Sequence, residues 1–204
     1  MATPGETTAE QLLAFSGVRR VPSLRIELFD RPGFLPPDLC AELIRLIDKD
    51  RRPSTIADPN GDHYFRTSET CDLSAEEPAV RDLEARLYAL NRIDPAYGEP
   101  VQGQRYEVGQ EFKAHTDYFE PDGQDFVKYC SVAGQRTWTF MVYLNGDFRG
   151  GQTRFDHWVR TINVIPCAGM ALVFEHPLLH EGAPVIEGRK YVLRSDVMYR
   201  RGKA

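Results

Sequence analysis

From about residue 102 onward, apolar residues recur at every second position or in short unbroken runs, a period that strands satisfy and helices do not. The candidate strands are Gly103–Val108, Thr137–Leu144, Thr153–Phe155, Thr161–Ile165, Met170–Phe174 and Lys190–Tyr199. Asn145-Gly146, Gly150-Gly151 and Glu187-Gly188 separate them with turn chemistry. Upstream, the spacing is helical. Cys40, Leu43, Ile44 and Ile47 make one apolar stripe, with Asp38 as the expected N-cap. Val80, Leu83, Leu87 and Leu90 make a second, entered through Ser74 and the acidic pair Glu76 and Glu77. Thr7 or Thr8 is expected to cap a shorter helix carrying Leu12, Leu13 and Phe15. The expected fold is therefore mainly β with flanking α, a sandwich or barrel of strands buttressed by N-terminal helices. A chain of 204 residues suits a single domain spanning 1–204, helix-rich over 1–100 and strand-rich over 101–204. Residues 51–63, rich in Pro, Asp, Asn and Gly, and residues 119–135, containing Glu120-Pro-Asp-Gly-Gln124, read as loops.

Bulk properties exclude several classes. The net charge of −5 and pI of about 5.6 argue against nucleic acid as a partner, since such a protein shows a basic face. No apolar run reaches the roughly 18 residues that a bilayer span needs. The segment MATPGETTAEQLL does not read as a secretion signal. Cys40, Cys71, Cys130 and Cys167 are scattered without a CxxC pair, so neither a disulfide framework nor a zinc finger is expected, and a reducing cytoplasm is the default.

Chemistry enters with His115-Thr-Asp117. On an extended strand, residues i and i+2 point to one face, so both side chains can reach one ion. A second histidine completes a set of two imidazoles and a carboxylate, which leaves coordination positions open for a cosubstrate and O2. Alone, His-x-Asp is a weak signal, and a surface histidine beside a solvated acid explains it as well. Its weight grows through His180, which follows a candidate strand, and through Lys190 ten residues later. A dicarboxylate cosubstrate that chelates iron through its keto acid end has a second carboxylate to bury. A buried anion needs a cation.

Taken together these pieces resemble the prolyl 4-hydroxylase-like branch of the Fe(II)/2-oxoglutarate-dependent dioxygenases. Gln104-Arg-Tyr106 with Gly109-Gln110-x-Phe112-x-x-His115-x-Asp117-Tyr118 is similar to the first metal segment of that branch. Thr139-Phe-Met-Val-Tyr143-Leu-Asn145 and Gly150-Gly151-x-Thr153-x-Phe155 resemble its central strand pair. His180-x-Gly-x-Pro184-Val185, Gly188 and Lys190 resemble its second histidine and basic residue, and Phe65-Arg-Thr-Ser68 resembles an upstream segment. The resemblance implies a double-stranded β-helix, a cupin-like jelly roll over 101–204. It implies His115, Asp117 and His180 as iron ligands and Lys190 as partner of the distal carboxylate of 2-oxoglutarate. It implies Tyr106 and Tyr143 as contacts of the cosubstrate, although each also reads as a half-buried strand aromatic. Arg66 falls in a substrate-side segment. His176 and His157 are alternative second ligands, but no cation stands ten residues after His176, where position 186 is Ile, and both read as surface or packing histidines. His63 lies in the polar loop.

One departure concerns the last strand. Asp196 stands where prolyl hydroxylases commonly carry a tryptophan, and Arg194 shares a strand face with Lys190. Asp196 can neutralise Arg194, or Arg194 can reach the substrate or compete with Lys190 for the cosubstrate. The implied function is hydroxylation of an unactivated carbon, with a peptidyl proline as the leading substrate and a free amino acid or other small metabolite as the runner-up. Fe(II), 2-oxoglutarate and O2 are the implied cofactors, with ascorbate as candidate reductant. The competing classes are a metal- and 2-oxoglutarate-binding sensor without turnover and a zinc hydrolase, in which Lys190 would have no role. The loops at 51–63 and 119–135 are expected to flank the substrate entrance as lids.

Overall fold

The computed structural model describes residues 4–22, 26–55, 64–92, 98–157, 160–176 and 178–199. An eight-stranded sheet runs in the order β1 (Arg19–Arg20), β2 (Leu28–Arg31), β11 (Met170–Glu175), β7 (Gln135–Tyr143), β14 (Lys190–Tyr199), β5 (Gln102–Tyr106), β4 (Glu69–Asp72) and β3 (Arg52–Pro53). A four-stranded sheet runs β10 (Arg160–Val164), β9 (Thr153–His157), β12 (His180–Gly182) and β6 (Phe112–His115). A short pair joins β8 (Arg149–Gly150) to β13 (Val185–Glu187). The pairings within all three sheets are antiparallel, and the fold is the jelly roll expected, with helices α1 (Pro4–Ala14), α2 (Pro37–Lys49) and α3 (Pro78–Asn91) ahead of the main strands.

The central strands bury both faces, which is why they read as apolar runs as well as alternations. In β7, Trp138, Phe140 and Val142 join the helix-side core with Leu43 and Ile47 of α2 and Leu83 and Leu87 of α3. The intervening Tyr143, with Met170, Leu172 and Phe174 of β11 and Phe155 of β9, fills the space between the two sheets. Strand β14 divides the same way: Tyr191 and Leu193 face the helices, while Lys190, Val192 and Arg194 face the interior cavity. Each fully buried Leu or Ile on the helix side contributes about 1.5–3 kcal/mol. The seam between α2 and β5 depends on Gly103, because a Cβ there would fall 2.3 Å from Ile47 Cγ1.

Several boundaries differ from the sequence reading. Prolines, not polar caps, open the helices. α2 starts at Pro37 with Pro36 as N-cap, α3 starts at Pro78 with Glu77 as N-cap, and neither cap residue uses its side chain. Pro suits the first helical position because its missing N–H would be unpaired there anyway. Asp38 sits in the first turn of α2, where its charge still suits the helix dipole. Ser74 accepts a hydrogen bond from the Glu76 N–H ahead of α3. α1 begins at Pro4, so Thr7 and Thr8 lie inside it. The expected loop at 119–135 contains α4 (Gln124–Ala133). Its Cys130 is buried while Val127 and Tyr129 are exposed, so no continuous apolar stripe announces it. The expected loop at 51–63 begins with β3, and residues 56–63, His63 among them, lie outside the described residues.

Candidate metal centre

His115 ends β6 and His180 opens β12, and the two are direct antiparallel partners across the ladder. That register brings their ring centroids to 4.3 Å. Asp117 lies beyond the end of β6, in a bend rather than on the strand, yet it still turns to the same point. One carboxylate oxygen is 3.7 Å from His115 Nε2, and the other is 3.6 Å from His180 Nε2. The ligand atoms of all three residues lie within 4.8 Å of one another.

Hydrogen bonding settles which imidazole nitrogens are free. His115 Nδ1 is 2.7 Å from the Lys113 carbonyl, and His180 Nδ1 is 3.0 Å from the Leu178 carbonyl. A carbonyl only accepts, so each Nδ1 carries the hydrogen and each Nε2 turns a lone pair to the shared point. Phe112 stacks on His115 at 3.5 Å, and Phe174 meets His180 edge-on at 4.7 Å. Burial, reinforced by His180, pushes His115 down to about 3, and burial lowers His180 as well. Both rings are thus neutral near pH 7, the form a metal requires. Burial would raise the Asp117 carboxyl. The Arg194 guanidinium is the largest of the opposing influences, which together outweigh burial and hold that carboxyl well below its usual range.

Lys190 lies at the other end of the same cavity, only 2 % exposed. Its ammonium donates to the Gly151 carbonyl at 2.8 Å and sits 4.9 Å from the Tyr106 ring and 5.7 Å from the Tyr143 ring. Among the described residues no carboxylate pairs with it, and burial lowers it to about 7. Beside it, a Cβ on Gly182 would stand 3.8 Å from the ammonium, so the glycine leaves room there. Gln104, on the same wall, accepts from the Tyr106 hydroxyl at 2.9 Å while its own Nε2 is buried without a partner. An unpaired buried cation and an orphaned amide donor are what a diacid ligand would satisfy. The donor set at the metal end likewise fits Fe(II). The free space as it stands is about 30 Å³, room for a water.

The other candidates are placed as follows. Tyr106 lines the cavity, whereas Tyr143 stands behind it, fully buried with its hydroxyl on Thr153, a wall residue. Arg66 lies over the Phe112 ring at 4.9 Å and bonds Ser68 and Thr70 at 3.2 Å each. His157 ends β9, with its side chain outside the described residues.

Of the two readings of His176, surface or packing, the structure bears out the second, with a polar partner added. Its side chain is 2 % exposed, and it belongs to a second cluster with Asp117 and Asp196 that has ligand-like spacing. The Thr139 hydroxyl fills the centre of that cluster, 2.7 Å from Asp117, 2.7 Å from His176 Nε2 and 2.8 Å from Asp196. With Arg194 and Arg136 beside it, this is a polar knot and not a second ion site. Arg136 and Glu99 escaped the sequence reading, and Thr139 entered it only as part of a strand motif, without a role. The one available signal was that Thr139 shares a strand face with Tyr143.

Residues 101–195 match the 2OG-Fe(II) oxygenase superfamily. Probable prolyl 4-hydroxylase 4 and prolyl 4-hydroxylase 2, both of Arabidopsis thaliana, are each 32 % identical over 209 residues, covering 86 % of this chain and 68 % of their own lengths. In structure the chain is similar to a viral collagen prolyl hydroxylase from Paramecium Bursaria Chlorella virus-1, with TM-score 0.62 and 24 % identity over 85 % of this chain and 96 % of that one. A prolyl hydroxylase from Trichoplax adhaerens, solved with a hypoxia inducible factor peptide fragment, gives TM-score 0.68 and 16 % identity over 94 % of this chain and 87 % of that one. The chain belongs to the prolyl 4-hydroxylase-like branch of the 2OG-Fe(II) oxygenase superfamily and is a 2-oxoglutarate-dependent dioxygenase.

Proposed function

We propose that residues 1–204 act as one domain that hydroxylates a proline residue of a peptide or protein substrate. The observation that carries the site assignment is the convergence of two Nε2 lone pairs and one carboxylate at one end of a cavity whose far end holds a buried, unpaired ammonium. In this reading His115, Asp117 and His180 hold Fe(II), and Lys190 holds the distal carboxylate of 2-oxoglutarate. Tyr106 forms part of the cosubstrate wall, with Tyr143 supporting Thr153 from behind. Bound there, Fe(II), 2-oxoglutarate and O2 supply the oxidising chemistry for C–H hydroxylation. The protein's share is to fix imidazole tautomers through Lys113 and Leu178, to neutralise the diacid through Lys190, and to keep water out with Phe112, Phe155 and Phe174. Arg66 and Arg194 belong to the substrate side. The substrate class follows the Arabidopsis relatives, which are prolyl 4-hydroxylases.

A second reading, a free amino acid or other small acid, is favoured by Arg194 on the cavity wall, with Asp196 where a tryptophan is common. Ascorbate is the reductant to supply in assays. Four free cysteines suit a reducing, cytoplasmic setting. No helix among the described residues is long and apolar enough to cross a membrane.

The test is Fe(II)-dependent release of succinate from 2-oxoglutarate with proline-containing peptides. Asp117→Ala and His180→Ala are each expected to lower turnover by at least about two orders of magnitude. Full turnover in either variant would show that the ligand set is wrong.

A further inference from the structure

Arg194 is a charged residue of the cavity wall that neither the metal ligands nor the cosubstrate site requires. Its guanidinium lines the cavity and is 15 % exposed, whereas Lys190 on the same strand face is 2 % exposed. Arg194 thus stands on the solvent side, where a substrate arrives, and Lys190 at the floor. A row of alternating charges holds it there. Glu99 grips Arg136 through two contacts at 2.7 and 2.9 Å, Arg136 stands 3.6 Å from Asp196, and Asp196 pairs with Arg194 at 2.9 Å. Such a row fixes the direction of a long side chain that would otherwise sample many rotamers.

What the row leaves open is informative. Both ion pairs of Arg194, to Asp117 and to Asp196, run through the same terminal nitrogen. Its Nε is buried with no acceptor among the described residues. Asp117 is also a partner that a metal would claim, since a metal cation and a guanidinium compete for one carboxylate. Arg194 would then keep Asp196 alone among carboxylates, with its Nε still without an acceptor. Arg66 adds to the imbalance. It lies within electrostatic reach of Arg194, Asp117 and Tyr106, and its hydrogen bonds go to hydroxyls and a carbonyl rather than to a carboxylate. The mouth of the site is short of one anion.

We propose that Arg194, oriented by Asp196, is a specificity-determining residue that captures a carboxylate carried by the substrate next to the carbon being hydroxylated. The proposal rests on the dioxygenase site assignment above and narrows its substrate class. A planar guanidinium takes a carboxylate through two parallel hydrogen bonds, which fixes orientation as well as charge. The carboxylate has two possible sources, the C-terminus of a peptide ending in proline or the free amino acid.

The test uses the full chain loaded with Fe(II) and 2-oxoglutarate, and compounds that differ only in that group. L-Proline is compared with L-prolinamide, and a peptide ending in proline with its C-terminal amide; a peptide with internal proline and no acidic residue is the reference. The expected result is a KM at least tenfold lower for each acid than for its amide. The arm with the lower KM identifies the source. In Arg194→Lys, which keeps a charge beside Asp196, the acid-to-amide ratio is expected to fall to about threefold or less. The control that needs no turnover is the Kd for 2-oxoglutarate, which should stay within about twofold. Equal KM values for acids and amides in the unaltered protein would overturn the proposal, and that comparison needs no variant to fold. So would a variant whose ratio is unchanged, or one whose 2-oxoglutarate Kd rises instead, since Arg194 would then serve the cosubstrate. An unaltered protein that binds neither metal nor 2-oxoglutarate would sink the site assignment and this proposal together.

Discussion

Lys190 and Arg194 stand on the same face of one strand, both charged and both inward, yet their surroundings are opposite. Arg194 has two carboxylates within ion-pair distance and a buttress of further charges behind them. Lys190 has a single backbone carbonyl and two aromatic rings. A buried cation with its counter-ions is part of the ligand-free protein's own structure. A buried cation without one is destabilising there, and its environment makes sense only with a ligand in place. The difference separates what the fold needs for itself from what it holds for another molecule.

The comparison is tested most strongly by Lys190→Met. The 2-oxoglutarate Kd of the metal-loaded protein should rise by about two orders of magnitude, roughly 3 kcal/mol, as expected when one member of a buried charge pair is lost. The melting temperature of the ligand-free protein should rise, because a poorly solvated ammonium is replaced by an apolar chain of similar length. Calorimetric titration and thermal melts read the two effects separately. A variant that loses both affinity and stability would show that Lys190 is structural, and the contrast with Arg194 would fail.

Arg194→Met should have the opposite sign in the melt. It takes the guanidinium from Asp117 and leaves Arg136 as the cation beside Asp196, with the Thr139 hydroxyl still within hydrogen-bond reach of both carboxylates, at a cost of about 3 kcal/mol. For a chain of this size that lowers the melting temperature by roughly 5–10 °C. An unchanged melting temperature would mean that the Asp117–Arg194–Asp196 contacts contribute nothing net, and the two cations would no longer differ in kind.

How much of this was readable beforehand follows from the same distinction. His115, Asp117, His180 and Lys190 were legible as candidates because ligand chemistry demands particular residue types, and the strand period that set Lys190 and Arg194 on one face was visible too. The helix-side stripes of α2 and α3 were legible because burying one face requires a 3.6-residue repeat. Thr139, Gln104 and Glu99 were not, since a polar residue inside a strand looks the same whether it faces water or a buried knot. His176 was left between surface and packing for that reason: nothing local tells a histidine bonded to Thr139 from one at the surface. β12 is three residues long, too short for any period, so the ladder partnership of His115 with His180 emerges only from the tertiary fold. The pairing of Arg194 with Asp196 was one of three options the alternation left open, and the 2.9 Å contact selects it.

Taken per pH unit, the smallest expected effect is a slope with pH. Burial lowers Lys190 from 10.5 to about 7, so between those values the unfolded chain holds a proton that the folded chain has released. Stability then rises with pH across that window by up to about 1.4 kcal/mol per unit. The sign follows from the depressed value of a base: the penalty of burying the ammonium is complete below about pH 7 and gone above about 10.5. Cysteines and tyrosines titrate nearby, so the quantity to measure is the difference in unfolding free energy between the unaltered protein and Lys190→Met, followed from pH 7 to 9.5. The difference should shrink as pH rises. Saturating 2-oxoglutarate with metal should flatten the slope, because a carboxylate beside the ammonium restores its proton, and binding above pH 7 should therefore take up a proton from buffer. A difference independent of pH in the ligand-free protein would mean that water or a counter-ion already solvates Lys190, and the unpaired cation on which the contrast with Arg194 is built would not exist.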